Sequence, residues 1–164
     1  MVDDLGGFSQ TSLFMRLAEK SDSQRLLEWR NHASVRHFSR NCGVISPDLH
    51  EEWLERKLDP DESSSKILIF TDQHKYVGMS RLDALIGNSA EISILVEPSV
   101  HGKGLGSKIL GQSINYAFLE LNYSELHASI HSENSISLAL FSKFGFVKVN
   151  QEYPFVSYRL SKIG

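Results

Sequence analysis

At 164 residues, 41% hydrophobic and 23% charged, the chain has the length and apolar content of a single globular domain rather than a disordered or fibrous segment. Its 17 basic and 20 acidic residues leave a formal charge of -3, so no global field draws it toward nucleic acid or an anionic membrane surface. Cys42 is the only cysteine, which excludes an internal disulfide, and without a leader-like or membrane-length apolar run the expected location is cytoplasmic.

Residues 1–10 are expected to be a loose N-terminal segment, followed by one domain over residues 11–164. Thr11 to Ala18 reads as a first strand. Ser21 or Asp22 can cap a helix through Leu26, Leu27, Glu28, Trp29 and Arg30. A polar loop follows. Ser46-Pro47 then places a capping hydroxyl ahead of a proline at the first helical position, opening a second helix through Leu49, Trp53, Leu54 and Leu58 that stops at Asp59-Pro60. Lys66 to Thr71 and Tyr76 to Leu82 read as strands joined through Asp72-Gln73-His74-Lys75.

Glu91 to Phe118 carries the most information. Ile92, Ile94 and Val96 alternate with Glu91, Ser93 and Leu95 at the period of a strand, which Pro98 ends. Leu105, Ile109, Leu110, Ile114, Ala117, Phe118 and Leu121 then recur at helical spacing, so one face of a helix starting near Gly104 packs on a sheet. Gly102, Gly104 and Gly106 strip side chains from the turn where amides and the positive helix end would face an anion, and Ser107 can add a hydroxyl. The turn lacks the Gly-Lys-Ser/Thr ending of a nucleoside-triphosphate P-loop. Its G-x-G-x-G spacing also differs from the dinucleotide fingerprint, and a helix-entry turn without a ligand is the alternative. Beyond it, Leu126 to His131 reads as strand, Asn134 to Phe144 as helix, and Phe146 to Val149 with Val156 to Leu160 as a closing hairpin.

His101-Gly102-Lys103-Gly104-Leu105-Gly106 resembles the Q/R-x-x-G-x-G/A acetyl-coenzyme A motif of the GNAT N-acetyltransferase superfamily, with His101 in place of Gln or Arg. Asn134-Ser135-Ile136-Ser137-Leu138-Ala139-Leu140-Phe141-Ser142-Lys143-Phe144-Gly145-Phe146 resembles the superfamily's second motif, and the resemblance runs from about Leu13 to Leu160. It implies an α/β GNAT fold: a mixed sheet of six or seven strands, splayed in the middle and flanked by about four helices. It also implies acetyl-CoA as cosubstrate, an amine acceptor and no metal. Pantetheine would lie along Ile94, Leu95 and Val96. His101, Gly102, Lys103, Gly104, Leu105, Gly106 and Ser107 would take the pyrophosphate, with Asn134, Ser137 and Phe141 on the other side. Lys103 either pairs with a phosphate or is a solvated side chain beside the turn.

Acetyl transfer needs a neutral amine, so a group must accept a proton. Glu91, at the start of the motif strand, is the first candidate and His131 the second. His127 and His131 are about 13 Å apart along a strand, too far to chelate one ion. Phe141 stands where many relatives carry a tyrosine that protonates the departing thiolate, which leaves a non-catalytic acyl-CoA sensor as an alternative. Trp29-Arg30-Asn31, Ile45 to Trp53 and Gly78 to Asp83 are similar to nucleotide-sugar amine acetyltransferases of the pseudaminic-acid pathway and to ribosomal-protein N-terminal acetyltransferases. A UDP-linked amino sugar is the expected acceptor, held by Arg30, His50 and Arg81, since guanidinium groups read phosphate bidentately. Each of the three could instead be structural, and a homodimer is left open.

Overall fold

The computed structural model describes residues 12–164; the N-terminal segment 1–10 and Thr11 lie outside the described residues. Seven strands form one sheet: β1 (Phe14–Leu17), β2 (Lys66–Asp72), β3 (Lys75–Leu85), β4 (Ser89–Val96), β5 (Glu125–His131), β6 (Val147–Glu152) and β7 (Phe155–Ser161). They lie in the order β1-β2-β3-β4-β5-β7-β6. Five α-helices accompany them: α1 (Ser23–Asn31), α2 (Ala33–Arg36), α3 (Pro47–Leu58), α4 (Leu105–Asn115) and α5 (Ser135–Lys143). The mixed α/β sheet is the one expected. The polar loop between the first two long helices is not, because it holds α2. The His32 ring caps α2 by accepting the Ser34 amide at 3.3 Å, a capping residue outside the usual Ser, Thr, Asp and Asn set.

Strand β2 shows how the sheet separates two layers. Ile67 and Ile69 face Leu26, Trp29 and Leu54 of α1 and α3, whereas Leu68 and Phe70 face the layer that contains Leu105, Ile109 and Leu110 of α4. Strand alternation sends successive side chains to opposite faces, so this short apolar run is buried on both. The same alternation on β4 sends Ile92, Ile94 and Val96 to the α4 layer and Leu95 to the α1–α3 layer. The helical stripe ends in a π-helical turn, Tyr116–Glu120.

Helix ends follow their sequence signals. Ser46 Oγ accepts the Leu49 amide, Pro47 opens α3, and Arg56 and Lys57 lie in its last turn, where cations complement the helix dipole. Strand β1 is tied to the entrance of α1 by Arg16, whose Nη1 and Nη2 each donate to the Asp22 carboxylate at 2.7 Å. Asp22 also accepts the Glu19 amide at 2.8 Å.

Removing this carboxylate should be costly, because Asp22 is 2% exposed and its loss strands part of the Arg16 guanidinium. With Arg16 partly solvated, Asp22→Ala is expected to destabilise the domain by about 2–3 kcal/mol, measured by urea unfolding. Burial alone would raise the Asp22 carboxyl, but its hydrogen bonds with Arg16 and the Glu19 amide hold it below its ordinary value of 3.8. The group is deprotonated in the fold at a pH where the unfolded chain begins to bind protons. Its stabilisation is therefore present above pH ~4 and lost as pH falls through the lower folded value. The alanine variant should show a flatter acid limb than the wild type.

Candidate active site: a cleft between parting strands

Strand β4 pairs with β3 along its whole length, and β5 with β7, but β4 and β5 pair with each other only from Ser89↔Glu125 to Glu91↔His127. Past Glu91 the two strands separate. Ile92 to Val96 and Ser129 to His131 line the resulting opening, a cavity of about 570 Å³. Main-chain groups on the facing edges have no partner strand there, so an extended ligand could satisfy them as an added strand does.

At the wide end, β4 passes through the turn Pro98–Val100 into the glycine-rich loop. Gly102 and Gly104 have φ of +80° and +72°, conformations that L side chains resist. Gly104 is also the residue before α4 and supplies no side-chain cap, so the first amides of an eleven-residue helix face the cavity. A Cβ on Gly106 would meet Leu140 Cδ2 at 3.3 Å and Val96 Cγ2 at 3.6 Å. The opposite wall comes from α5, where Asn134 Oδ1 accepts the Ser137 amide at 3.2 Å. Its cap role uses that oxygen and leaves the Nδ2 donors for a ligand.

Of the residues expected to hold the cofactor, Ile94, Leu95, Val96, His101, Gly102, Gly104, Leu105, Gly106, Ser107, Asn134, Ser137 and Phe141 all line this cavity. Lys103 is exposed and does not. His101 turns its Nε2 to the Val96 carbonyl at 3.0 Å. Helix α2 and the residues after it, which the sequence did not reveal, contribute Ser34, Val35 and Phe38. Arg40, outside the cavity lining, reaches β5: its Nη2 donates to Ser129 Oγ at 2.7 Å, and the guanidinium lies 4.6 Å from the Phe155 ring centroid. Gly78 is required by packing. A Cβ there would approach the Leu95 carbonyl oxygen to 2.3 Å, so only glycine lets β3 and the end of β4 close up.

The two candidate bases are placed differently. Glu91 is outside the cavity wall, at the last paired position, where its neighbours in register are Asp83 and His127. His127 Nε2 lies 2.7 Å from Glu125 Oε1. His131 lines the cavity, but its Nδ1 accepts the Glu133 amide at 3.2 Å. A neutral ring then carries its proton on Nε2 and offers a donor.

None of Arg30, His50 and Arg81 lines the cavity; all three belong to the α1–α3 side of the sheet. Arg81 Nε contacts Asp83 Oδ2 at 2.6 Å, and its guanidinium lies 5.8 Å from the Trp53 ring centroid. Lys57 Nζ reaches Asp83 Oδ1 at 2.7 Å, and Ser65 donates to the same oxygen. Burial would raise the Asp83 carboxyl, but Arg81, Lys57 and Ser65 hold it below its ordinary value. His50 is 3% exposed and its Nε2 has no partner. Burial pushes its imidazole down, opposed by a backbone hydrogen bond at Ser23 and by Glu51. Arg30 differs from both. Its Nη2 donates to the Asn41 carbonyl, whereas Nη1 is buried without a partner. Burial pushes its pKa down, Cys42 opposes this, and Arg36 and Arg81 add to it.

If the loop and helix end receive an anion, filling the space at Gly106 should obstruct it. Gly106→Val is expected to weaken coenzyme A binding by roughly tenfold or more, about 1.4 kcal/mol, in calorimetric titration of the folded variant. Equal affinities would remove this turn from the site.

Residues 12–147 match the family model described as an acetyltransferase (GNAT) domain. Over 130 residues the chain is 26% identical to the acetyltransferase PseH of Campylobacter jejuni, covering 79% of this chain and 80% of that protein. The solved spermidine N-acetyltransferase of Vibrio cholerae, in complex with CoA and spermine, superposes with a TM-score of 0.78 at 21% identity, over 90% of this chain and 93% of that one. The ribosomal-protein-alanine N-acetyltransferase of Brucella melitensis gives 0.76 at 21% identity, over 92% and 100%.

Proposed function

This chain belongs to the GNAT acetyltransferase family, and on that premise we propose that it moves acetyl from acetyl-CoA to a primary amine by direct transfer, with a UDP-linked amino sugar as preferred acceptor. Acetyl-CoA supplies the activated thioester. The amides from Gly104 to Ser107 bind the pyrophosphate, with His101 and Gly102 shaping the approach and Lys103 a cation at the rim. Main-chain groups of Ile94, Leu95 and Val96 orient the pantetheine arm. Asn134 Nδ2, Ser137 and Phe141 bound the other side, and the apolar wall from Leu105 to Phe141 keeps water from the thioester.

Glu91 takes the acceptor's proton through a water, because it stands at the apex of the opening, one residue before the cavity wall begins. His131 offers its Nε2–H to the acceptor. A cytoplasmic setting fits a reaction that draws on acetyl-CoA, and no helix among the described residues is long and apolar enough to cross a membrane.

Arg30 favours an anionic acceptor. A buried guanidinium nitrogen without a partner, with Arg36 and Arg81 close enough to disfavour its charge, is a place where a phosphate oxygen would be stabilised. Arg81 contributes field rather than a free fork, since Asp83 already holds it. His50 supports α1 against α3. At Arg30 itself a cationic polyamine meets the wrong sign of charge and a protein N-terminus gains nothing, although Glu52, Glu55, Asp59 and Glu62 line an acidic pocket at the end of α3.

Coenzyme A release should be followed with a panel of UDP-4-amino sugars, ribosomal N-terminal peptides, polyamines and aminoglycosides. The amino sugars should turn over most efficiently, with kcat/KM falling as salt rises. Arg30→Met should raise their KM about tenfold. Turnover of a peptide or polyamine with none of the sugars would overturn the acceptor, and CoA binding without turnover of any amine would indicate a sensor. Glu91→Gln should lower kcat about 100-fold while leaving the Kd for coenzyme A unchanged.

A further inference from the structure

The Trp29 indole is buried in the α1–α3 layer, yet its Nε1–H donates to the carboxylate of Glu97, 68 positions along the chain. Glu97 is the first residue after β4. Its Oε1 accepts from the Ser99 amide at 3.4 Å and the Ser99 hydroxyl at 3.2 Å. Its own amide donates to the Val77 carbonyl at 2.8 Å, and its carbonyl accepts from the Val100 amide at 3.0 Å. One side chain therefore holds both the helix that carries Arg30 and the turn that leads into the glycine-rich loop.

The strengths of these contacts are unequal. The Ser99 bonds are long and exposed, and alone they would hold the turn weakly. The Trp29 bond is charge-assisted and comes from a ring fixed by its packing, so it selects the carboxylate's orientation. A carboxylate beside an anion-binding loop opposes the anion, and the attraction of Arg25 is the weakest of the influences on Glu97, so charge alone does not explain an acid at this place. Its geometry does. The Trp29 and Ser99 bonds hold the Glu97 carboxyl below its ordinary value against the effect of burial, which keeps both oxygens available as acceptors.

We propose that Trp29 and Glu97 form a positioning pair that sets the phosphate loop from the acceptor-side helix, so that events at the loop are felt at α1. The inference rests on the reading of this loop as the pyrophosphate site. Neither residue lines the cavity, so an effect on cofactor binding has to travel through the turn.

Calorimetric titration with coenzyme A tests it on the wild type, Trp29→Phe, Glu97→Ala, Glu97→Gln and the double variant Trp29→Phe/Glu97→Ala. The Kd should rise about fivefold in Trp29→Phe and in Glu97→Ala, and the double variant should bind no more weakly than Glu97→Ala alone. Glu97→Gln, whose amide oxygen still accepts the indole N–H, should stay within about twofold of wild type. A spectroscopic readout is available because the chain has two tryptophans. In a Trp53→Phe background, coenzyme A should shift the emission of Trp29, and Glu97→Ala should abolish the shift. Single-variant affinities equal to wild type, additive losses in the double variant, or an emission unmoved by bound coenzyme A would each overturn the pair. A wild type that binds no coenzyme A would overturn the underlying reading of the loop and this inference with it.

Discussion

The site depends on two parallel strands parting. After Glu91↔His127, β4 and β5 no longer bond to each other, although each keeps its outer partner for its full length. Each half of the sheet is thus stiff while the gap between them is open. Unpaired main-chain donors and acceptors inside a covered sheet are unfavourable unless something pairs with them, so the gap favours a ligand with amides of its own. The wide end of the gap leads to the glycine loop and the uncapped start of α4, and its apex lies at Glu91. A single topological feature therefore places unpaired strand edges, a glycine-rich helix entrance and a carboxylate along one line.

The layers above and below keep the gap from closing. On one face Ile92 and Ile94 of β4, Ala128 and Ile130 of β5, and Leu105, Ile109 and Phe141 of the helices share one apolar core. Interiors are packed too densely for the strands to slide together without expelling those side chains. On the other face the apolar α1–α3 cluster of Leu26, Trp29, Leu54, Ile67 and Ile69 is joined by polar contacts: the Lys57–Asp83–Arg81 group, the His127–Glu125 pair and Arg40 on Ser129. The charges on this face are mostly paired with one another, and among the described residues Arg30 Nη1 and His50 Nε2 are the buried side-chain nitrogens without a partner.

Legibility in the sequence follows from how local each signal is. The strand, turn and helix around Gly104 could be read because periodicity and glycine spacing act over a few residues, and the Asn134 cap is equally local. Helix α2 could not. It has four residues and a histidine cap, too short for a periodic stripe and outside the usual capping set. Gly78 reads as an ordinary strand glycine until the Leu95 carbonyl is placed beside it. Arg81 and His50 read as ligand groups in sequence; the fold sets Asp83, two residues along the same strand, against Arg81 and Trp53, one turn along the same helix, beside His50. The Trp29–Glu97 contact joins residues on either side of three strands and two helices, and no pattern along the chain encodes it.

Chemical roles within the site are asymmetric, and Phe141 shows why. The ring is 3% exposed and meets Phe146 edge-on at a centroid distance of 5.0 Å, so this position serves packing where a hydroxyl could have served proton donation. His101 and His131 are the titratable side chains among the described residues that line the cavity, and each has a ring nitrogen engaged with the main chain. A thiol leaving group with a pKa of about 8.5 departs near neutrality without an acid, whereas an alkyl ammonium cannot attack until it loses its proton. The demand for proton handling therefore falls on the acceptor side. That is where β4 carries Glu91, between Asp83, whose charge Lys57 and Arg81 balance, and His127, which Glu125 holds.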